Sequence, residues 1–297
     1  MNAQTKIVPI GDGLHVWTRR VGKSPIKMLL LHGGPGSTHE YLESFADYLP
    51  QEGIEIYFYD QLGSYHSDQP DDPSLWTMER FREEVETVRK YLGLEDFYLY
   101  GSSFGGFLAM EYALKYQANL KGLILSNTTA SIAAYAEYVN ELRERLPEDI
   151  LAKIKDYEQK EMYDHPEYEE LIQIHLDNKY ICRLDPWPEA AQRASNHTGL
   201  QVYNTMHGPN EFVVTGNYKD WNRWDDLHKI EVPTLVLGAK HDSMSIADQE
   251  RMGSLIPNSR VNICPKGSHL SMWDDADNFF NFIKQFVKDV ESGKKLK

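Results

Sequence analysis

Short apolar runs alternate with amphipathic stretches in both terminal parts of this chain. The runs are bounded by turn residues, and such alternation is typical of strands joined by crossover helices in a mostly parallel sheet. Between residues 129 and 221 the apolar runs give way to charged, tyrosine-rich helical segments. The pattern therefore predicts an α/β core of residues 1–128 and 222–297, a twisted sheet flanked by helices, with residues 129–221 inserted as a helical cap.

The predicted core begins with an antiparallel hairpin whose turn is Gly11-Asp12-Gly13. Buried strands and amphipathic helices follow it. The predicted strands cover residues 7–9, 14–18, 27–31, 54–59, 97–100, 120–125, 234–237 and 260–264, and the predicted helices cover residues 39–49, 78–92 and 278–290.

Composition and charge argue against several classes of protein. A chain of 297 residues, 41% hydrophobic and without repeats, can bury one large core. The net charge of −14 disfavours nucleic acid and anionic membranes as partners, because both carry the same sign. The amino terminus lacks the pattern of a signal peptide, and no segment has the apolar length of a membrane span. Cys182 and Cys264 have no metal-ligand spacing, so we expect two reduced thiols in a cytoplasmic protein.

The segment Gly101-Ser102-Ser103-Phe104-Gly105 joins a predicted strand to a predicted helix. It matches G-x-S-x-G in the context that this motif requires, and the glycines would leave room for a strained turn that lifts Ser103 above the sheet. An ordinary tight glycine connection is the alternative. We identify Ser103 as the candidate nucleophile.

A second glycine-rich turn, His32-Gly33-Gly34-Pro35-Gly36, follows another predicted strand. Such a turn can leave a backbone N–H free, and we expect the amides of Gly34 and Phe104 to form an oxyanion hole. A phosphate-binding loop is the alternative, but the turn lacks both a following Lys-Ser/Thr pair and G-x-G-x-x-G spacing.

A serine nucleophile requires a histidine base and a carboxylate that orients it, and these should follow in the order Ser, Asp, His. Of the 11 histidines, His269 lies between the last predicted strand and the closing helix. Asp242 follows the preceding strand, so we expect His269 to be the base and Asp242 the orienting acid. His241 is then a structural neighbour or lies at the rim of the pocket. Three other acids are predicted to be helix-capping or solvated charges: Asp248, Asp274 and Asp275.

With these residues in place, the chain closely resembles the proline iminopeptidase family of α/β-hydrolases over nearly its whole length. The combination of motifs is more specific than any one of them. The motifs are HGGPG at residues 32–36, YDQLGSYHSD at 59–68, GSSFGG at 101–106, GPNEFVVTGNYKDW at 208–221 and GSHLSMWDD at 267–275.

The resemblance implies an α/β-hydrolase fold and a serine aminopeptidase, without cofactor or metal, that releases amino-terminal proline or another small residue. It also implies that Glu211, in GPNEF, binds the free ammonium group of a small peptide or of an amino-acid amide or ester. In the family a second carboxylate often follows the catalytic aspartate, where this chain has Ser243. We therefore expect amides, esters and anilides to be hydrolysed as well as peptides.

Two other functions fit the same residues. An amino-acid amidase, esterase or lactonase would use the same serine on the same scaffold. A catalytically inactive ligand-binding protein would keep the fold alone, although all three candidate catalytic positions hold suitable residues. The oligomeric state stays open.

Two further expectations concern the pocket. The segment 60–66 departs from the family at Leu62, Tyr65 and His66, and we expect it to shape a different pocket. A prolyl ring needs a flat apolar surface, and the cap offers seven aromatic candidates. They are Tyr135, Tyr138, Tyr157, Trp187, Tyr203, Phe212 and Trp221.

Overall fold

An eight-stranded sheet forms the centre of the computed structural model, which describes residues 2–296. The strands are β1 (Ala3–Gly11), β2 (Leu14–Val21), β3 (Ile26–Leu31), β4 (Ile54–Asp60), β5 (Phe97–Ser102), β6 (Leu120–Ser126), β7 (Thr234–Ala239) and β8 (Ser259–Cys264). Their order across the sheet is β1-β2-β4-β3-β5-β6-β7-β8. Strand β2 is antiparallel to β1 and β4, and all other neighbours are parallel. The predicted α/β class and the antiparallel hairpin are confirmed.

Helices cover both faces of this sheet. The α-helices are α1 (Phe45–Tyr48), α2 (Met78–Leu92), α3 (Phe104–Tyr116), α4 (Ile132–Arg143), α5 (Glu148–Gln159), α6 (Pro166–Ile172), α7 (Glu189–Asn196), α8 (Leu200–Met206), α9 (Ile246–Leu255), α10 (Ser271–Asp274) and α11 (Ala276–Glu291). A π-helical segment, Gln173–Ile181, follows α6 directly.

Successive side chains of β3 point to opposite faces of the sheet, and both faces are apolar, so both must be packed against helices. Leu29 and Leu31 belong to an apolar cluster that includes residues of α2 and α3, whereas Met28 and Leu30 belong to a second cluster with residues of α1 and α11. A strand buried on both faces reads as a continuous apolar run, as this one does. No helix among residues 2–296 is both long and apolar enough to cross a membrane.

One predicted helix is wrong. Residues 39–49 do not form a continuous helix but a 3-10 turn at His39–Leu42 and the short helix α1. The backbone N–H and the ring Nδ1 of buried His39 both lie within 2.8 Å of Asp60 Oδ1 at the end of β4. This long-range anchoring fixes the tight turn, and local periodicity does not reveal it.

Helices α4 to α8 lie between β6 and β7 in the chain, and the two ends of this segment meet. Ser131 and Asn222 form an antiparallel bridge, and the Arg223 N–H donates to the Ala130 carbonyl at 2.7 Å. The helical segment also contacts the core elsewhere, because the Gly199 N–H donates to the Gly36 carbonyl at 2.7 Å. The helical segment therefore leaves and rejoins the core at one point and folds back over it.

The packing of α11 gives a test of the core. Phe279 is fully buried, and its ring lies 5.0 Å from that of Phe280 and 5.8 Å from that of Phe45. Phe279→Ala should lower the free energy of unfolding by about 3–5 kcal/mol, because a cavity replaces the ring. Urea denaturation measures this. The matched variant Asn281→Ala, at an exposed position of the same helix, should change it by less than about 0.5 kcal/mol; equal effects would contradict this packing.

Candidate active site

Ser103 lies at the turn between β5 and α3, where the backbone is strained. Its φ of 55° and ψ of −123° fall in a region that side-chain-bearing residues rarely adopt. The turn needs glycine on both sides: a Cβ on Gly101 would lie 2.1 Å from the Gly105 carbonyl oxygen, and a Cβ on Gly105 would lie 2.2 Å from the Leu31 carbonyl oxygen. The structure therefore gives the steric reason for the G-x-S-x-G spacing.

Two backbone amides beside Ser103 are free to donate. Within residues 2–296 neither the Gly34 N–H nor the Phe104 N–H donates a hydrogen bond, whereas the Gly33 N–H donates to the Tyr41 hydroxyl at 2.6 Å. Phe104 is the first residue of α3, so its amide also carries the positive end of the helix dipole. Gly34 and Ser103 line the same cavity. The arrangement can hold a negatively charged oxygen near the serine.

His32 fixes the loop that carries Gly34. Its Nε2 accepts from the Gln61 N–H at 3.0 Å, so its Nδ1 carries the proton and donates to the Gly33 carbonyl at 2.9 Å. Complete burial lowers the pKa of His32 and keeps the ring neutral. This histidine of HGGPG is therefore a structural residue.

His269 and Asp242 meet at the carboxyl edge of the sheet. The His269 Nδ1 lies 2.7 Å from Asp242 Oδ1, and both side chains are buried. Burial lowers the pKa of His269, but the charge and the hydrogen bond of Asp242 outweigh it, so the net pKa is raised above its ordinary value. His269 lines the cavity together with Ser103, although within residues 2–296 the serine hydroxyl donates no hydrogen bond to it. The structure thus brings all three predicted residues to one place.

Asn127 was not identified from the sequence, yet it holds Asp242. Its side-chain nitrogen donates to Asp242 Oδ2 at 2.7 Å and to the Ser268 carbonyl at 3.2 Å, next to His269. Asn127 follows β6 with a φ of 48°. A polar residue directly after a parallel strand is the signal that could have found it.

The other candidate acids have structural roles. Asp274 accepts from the backbone N–H groups of Ser268 and Arg183 at 3.0 and 3.1 Å, and buried Asp275 accepts from the Lys266 N–H at 2.9 Å. The solvated alternative is wrong for these two, because they anchor the loop that presents His269, whereas the capping alternative fits Asp275, which occupies the N-cap position of α11. Asp248 accepts from the Thr129 hydroxyl at 3.0 Å.

His241 does not line the cavity. Its backbone N–H donates to the Gly267 carbonyl at 3.0 Å, so it ties the end of β7 to the loop that carries His269. Burial lowers the pKa of its ring. It is a structural neighbour of the site.

Glu211 lies in the cavity with Ser103. The cavity has a volume of about 320 Å³, and the core and the helical segment both line it. The Tyr135 hydroxyl lies 2.5 Å from the Glu211 carbonyl oxygen and 2.9 Å from Oε1, and the Tyr203 hydroxyl donates to Oε2 at 3.4 Å. Burial and the Glu211 charge raise the pKa of both tyrosines well above 10, so each stays a hydrogen-bond donor. Glu211 is therefore fixed inside the cavity rather than solvated on the surface.

The loop around Glu211 is held by buried His207. Its Nδ1 contacts the Tyr218 hydroxyl, and its Nε2 lies 3.0 Å from the Asn210 carbonyl oxygen. Burial lowers the pKa of His207, which keeps this contact uncharged. Tyr218 also lines a small recess beside Ser103 and was missed among the aromatic candidates.

The seven aromatic candidates divide into two groups. Trp187 and Tyr203 line the cavity, and Tyr135 lines the adjoining recess. The other four, Tyr138, Tyr157, Phe212 and Trp221, line neither.

None of residues 60–66 lines this cavity, so the expectation that Leu62, Tyr65 and His66 form part of its wall is wrong. Tyr65 stacks on His197 with ring centroids 3.8 Å apart, and His66 Nε2 lies 3.6 Å from Glu40 Oε1. These residues join the core to the end of α7.

Two groupings of metal-ligand residue types lie among these contacts. His39, Asp60 and His66 lie within reach of one ion, as do Glu40, His66 and His197. Glu40 already pairs with the guanidinium of Arg193 at 2.7 Å and with His197 at 2.8 Å. The cluster is an ion-paired contact between the core and α7.

A family model and several proteins of known name match the sequence of this chain. The family model for the alpha/beta hydrolase fold matches residues 27–276. The proline iminopeptidase of Flavobacterium johnsoniae is 47% identical over 290 residues, covering 96% of this chain and 97% of the relative. That of Elizabethkingia meningoseptica is 45% identical over 289 residues, covering 96% and 97%.

A solved structure extends the likeness to the backbone. The crystal structure of proline iminopeptidase from Mycobacterium smegmatis is similar to this chain with a TM-score of 0.90 and 28% identity, covering 98% of this chain and 99% of that one. The crystal structure of VinJ has a TM-score of 0.91 and 32% identity, with 97% and 98% covered. The chain belongs to the proline iminopeptidase family of α/β-hydrolases.

Proposed function

We propose that this protein is a serine aminopeptidase of the proline iminopeptidase type, which releases an amino-terminal proline or other small residue from peptides, amides or anilides. The observation that carries the proposal is that one cavity holds both the Ser103 hydroxyl and the Glu211 carboxylate. A carboxylate in a partly enclosed site attracts the ammonium group of a free amino terminus. The first carbonyl carbon of the substrate is then held near the serine.

The proposed chemistry has two acyl-transfer steps. The Ser103 oxygen attacks the carbonyl carbon while its proton passes to His269 Nε2, and the amides of Gly34 and Phe104 hold the oxyanion. The imidazolium then protonates the leaving nitrogen, and the acyl-enzyme forms. Water attacks this ester, its proton passes to His269, and the serine recovers a proton as the free amino acid leaves. Asp242 holds the His269 tautomer and stabilises the imidazolium.

We further propose that residues 129–221 act as a cap on a core of residues 1–128 and 222–297. The cap would supply Glu211, Tyr203 and Trp187, and the core would supply the catalytic groups. This division limits the substrate to what fits between the two parts, in keeping with a small peptide or an amino-acid amide or ester. Buried, unpaired Cys182 and Cys264 support the proposed cytoplasmic location.

Ser103→Ala tests the nucleophile. It should reduce kcat for proline p-nitroanilide by about 10⁴-fold or more, because no covalent intermediate can form. The matched control is Ser102→Ala, since the neighbouring serine is buried at the end of β5 and does not line the cavity; it should stay within about threefold of wild type. Initial rates of p-nitroaniline release measure both, and a Ser103→Ala protein with near wild-type turnover would exclude the mechanism.

Glu211→Gln tests the amine site. It should raise KM for proline p-nitroanilide by about 10-fold or more, because a charge-assisted hydrogen bond becomes a neutral one. The KM for p-nitrophenyl acetate, which has no ammonium group, should barely change. Glu137→Gln, at an exposed position of α4, is the charge-matched control. A similar rise in KM for both substrates would remove Glu211 from the amine site.

The raised pKa of His269 predicts the pH profile. The base must be neutral, so activity is lost as pH falls through its pKa, and the midpoint of this loss should lie above the ordinary 6.5. The profile of kcat/KM for p-nitrophenyl acetate isolates this group from any titration at the amine site. Asp242→Asn should move the midpoint to lower pH and reduce the plateau by about 10³–10⁴-fold. A wild-type midpoint below 6.5 would contradict the coupling to Asp242.

A further inference from the structure

A second carboxylate, that of Asp177, lines the cavity that holds Ser103 and Glu211. We propose that Asp177 and Glu211 together bind the ammonium group of the substrate, so that Asp177 is a second determinant of specificity for a free amino terminus. This inference rests on the proposed function and adds a residue to it.

The local backbone brings Asp177 to the cavity. Asp177 lies in the π-helical segment Gln173–Ile181, which continues directly from α6. π-Helical turns are rare and occur frequently at functional sites, because the wider turn changes which side chains share a face. Ile172, directly before this segment, and Ile181, its last residue, also line the cavity. The segment is therefore a wall of the cavity rather than a distant surface helix.

The segment is also tied to the candidate base. The His269 N–H donates to the Tyr180 carbonyl at 2.9 Å, and the Leu270 N–H donates to the Ile181 carbonyl at 2.8 Å. Backbone hydrogen bonds of this kind fix the helical segment relative to the loop that presents the imidazole. These bonds therefore fix the position of Asp177 relative to His269.

The Asp177 carboxylate has no partner of its own. Within residues 2–296 it accepts no hydrogen bond and forms no ion pair, whereas Glu211 accepts from two tyrosines. Among the described residues that line the cavity there is no lysine and no arginine. A partly buried carboxylate without a donor is unfavourable unless a ligand supplies one. Two acidic groups without a counter-cation favour a cationic ligand.

The mutual repulsion of the two acids supports this assignment. Burial and the charge of Glu211 raise the pKa of Asp177 to about 7. A bound ammonium group would remove that repulsion, because it offers each carboxylate a hydrogen-bond donor and a positive charge. The protonated ring nitrogen of an amino-terminal proline carries two N–H donors, one for each acid. An acylated amine carries no charge and gains nothing from either.

Asp177→Asn tests the proposal with little change of shape. It should raise KM for proline p-nitroanilide by about 10-fold, because one charge-assisted contact is lost, and should leave kcat within about threefold. The KM for p-nitrophenyl acetate should not change. The matched control is Glu170→Gln, which removes one negative charge from an exposed position of α6. Equal effects on the two substrates, or no effect on either, would overturn the assignment.

Further variants keep the proposal testable if Asp177→Asn does not fold. Asp177→Glu keeps the charge, so it should recover most of the lost affinity if the charge is what matters. If Asp177→Asn does not fold, as judged by thermal unfolding, Asp177→Ala takes its place; it should raise KM for proline p-nitroanilide by about 10-fold, while Asp177→Glu stays within about threefold of wild type. An Asp177→Glu protein that binds as weakly as the neutral variant would overturn the proposal.

Binding without turnover separates this inference from the proposed function. Prolinamide should bind to Ser103→Ala and about 10-fold more weakly to Ser103→Ala with Asp177→Asn, as measured by titration calorimetry. If the wild-type protein hydrolyses p-nitrophenyl acetate but not proline p-nitroanilide, the proposed function is wrong. The role of Asp177 is still tested in that case: weaker prolinamide binding in the double variant supports it, and equal binding overturns it. N-acetylprolinamide should bind both proteins equally weakly; discrimination between them for this ligand would contradict an ammonium site.

Discussion

The close approach of three backbone segments at the end of β5 is the constraint on which the site depends. Gly101 and Gly105 admit carbonyl oxygens to positions that a Cβ would occupy, and Ser103 between them takes up a strained conformation. The Thr128 hydroxyl donates to the Ser103 carbonyl at 2.9 Å, and the Ser103 N–H donates to the Ser126 carbonyl at 3.1 Å. These contacts with the end of β6 hold the strained residue in place. The position of the Ser103 hydroxyl relative to the neighbouring free amides is therefore fixed.

Around this corner, polar residues at the ends of the parallel strands form a connected network. Asn127 after β6 holds Asp242 after β7, which holds His269 after β8. The outer acids Asp274 and Asp275 then fix the loop that carries the histidine. Each buried charge in this network has hydrogen-bond donors, which is the condition for keeping it buried. Asp177 lies outside this network, and no donor to its carboxylate is found among residues 2–296, which is the reason to assign it a ligand.

The sequence was sufficient where local chemistry was decisive. Helix α2 spans residues 78–92 as predicted, since Thr77 caps its first turn and Gly93 ends it in a left-handed conformation. The prediction failed at residues 39–49, where buried contacts between His39 and Asp60 outweigh helical periodicity. It also fell short on β1, which runs from Ala3 to Gly11 although only residues 7–9 were predicted. Pairing with β2 extends this edge strand through exposed residues that carry no apolar pattern.

The α/β class and the family could be read from the sequence alone. So could the candidate residues Ser103, His269 and Glu211, because each lies in a motif whose spacing reflects a local steric or chemical need, and Asp242 could be predicted from its place after a strand. Which groups share a cavity with them depends on the tertiary structure. The π-helical turn that places Asp177 beside Glu211, and the strand ends that place Asn127 against Asp242, bring together residues 34 and 115 positions apart. No local sequence pattern predicts contacts between residues so far apart in the chain, because these contacts depend on how the helical segment between β6 and β7 folds back onto the sheet.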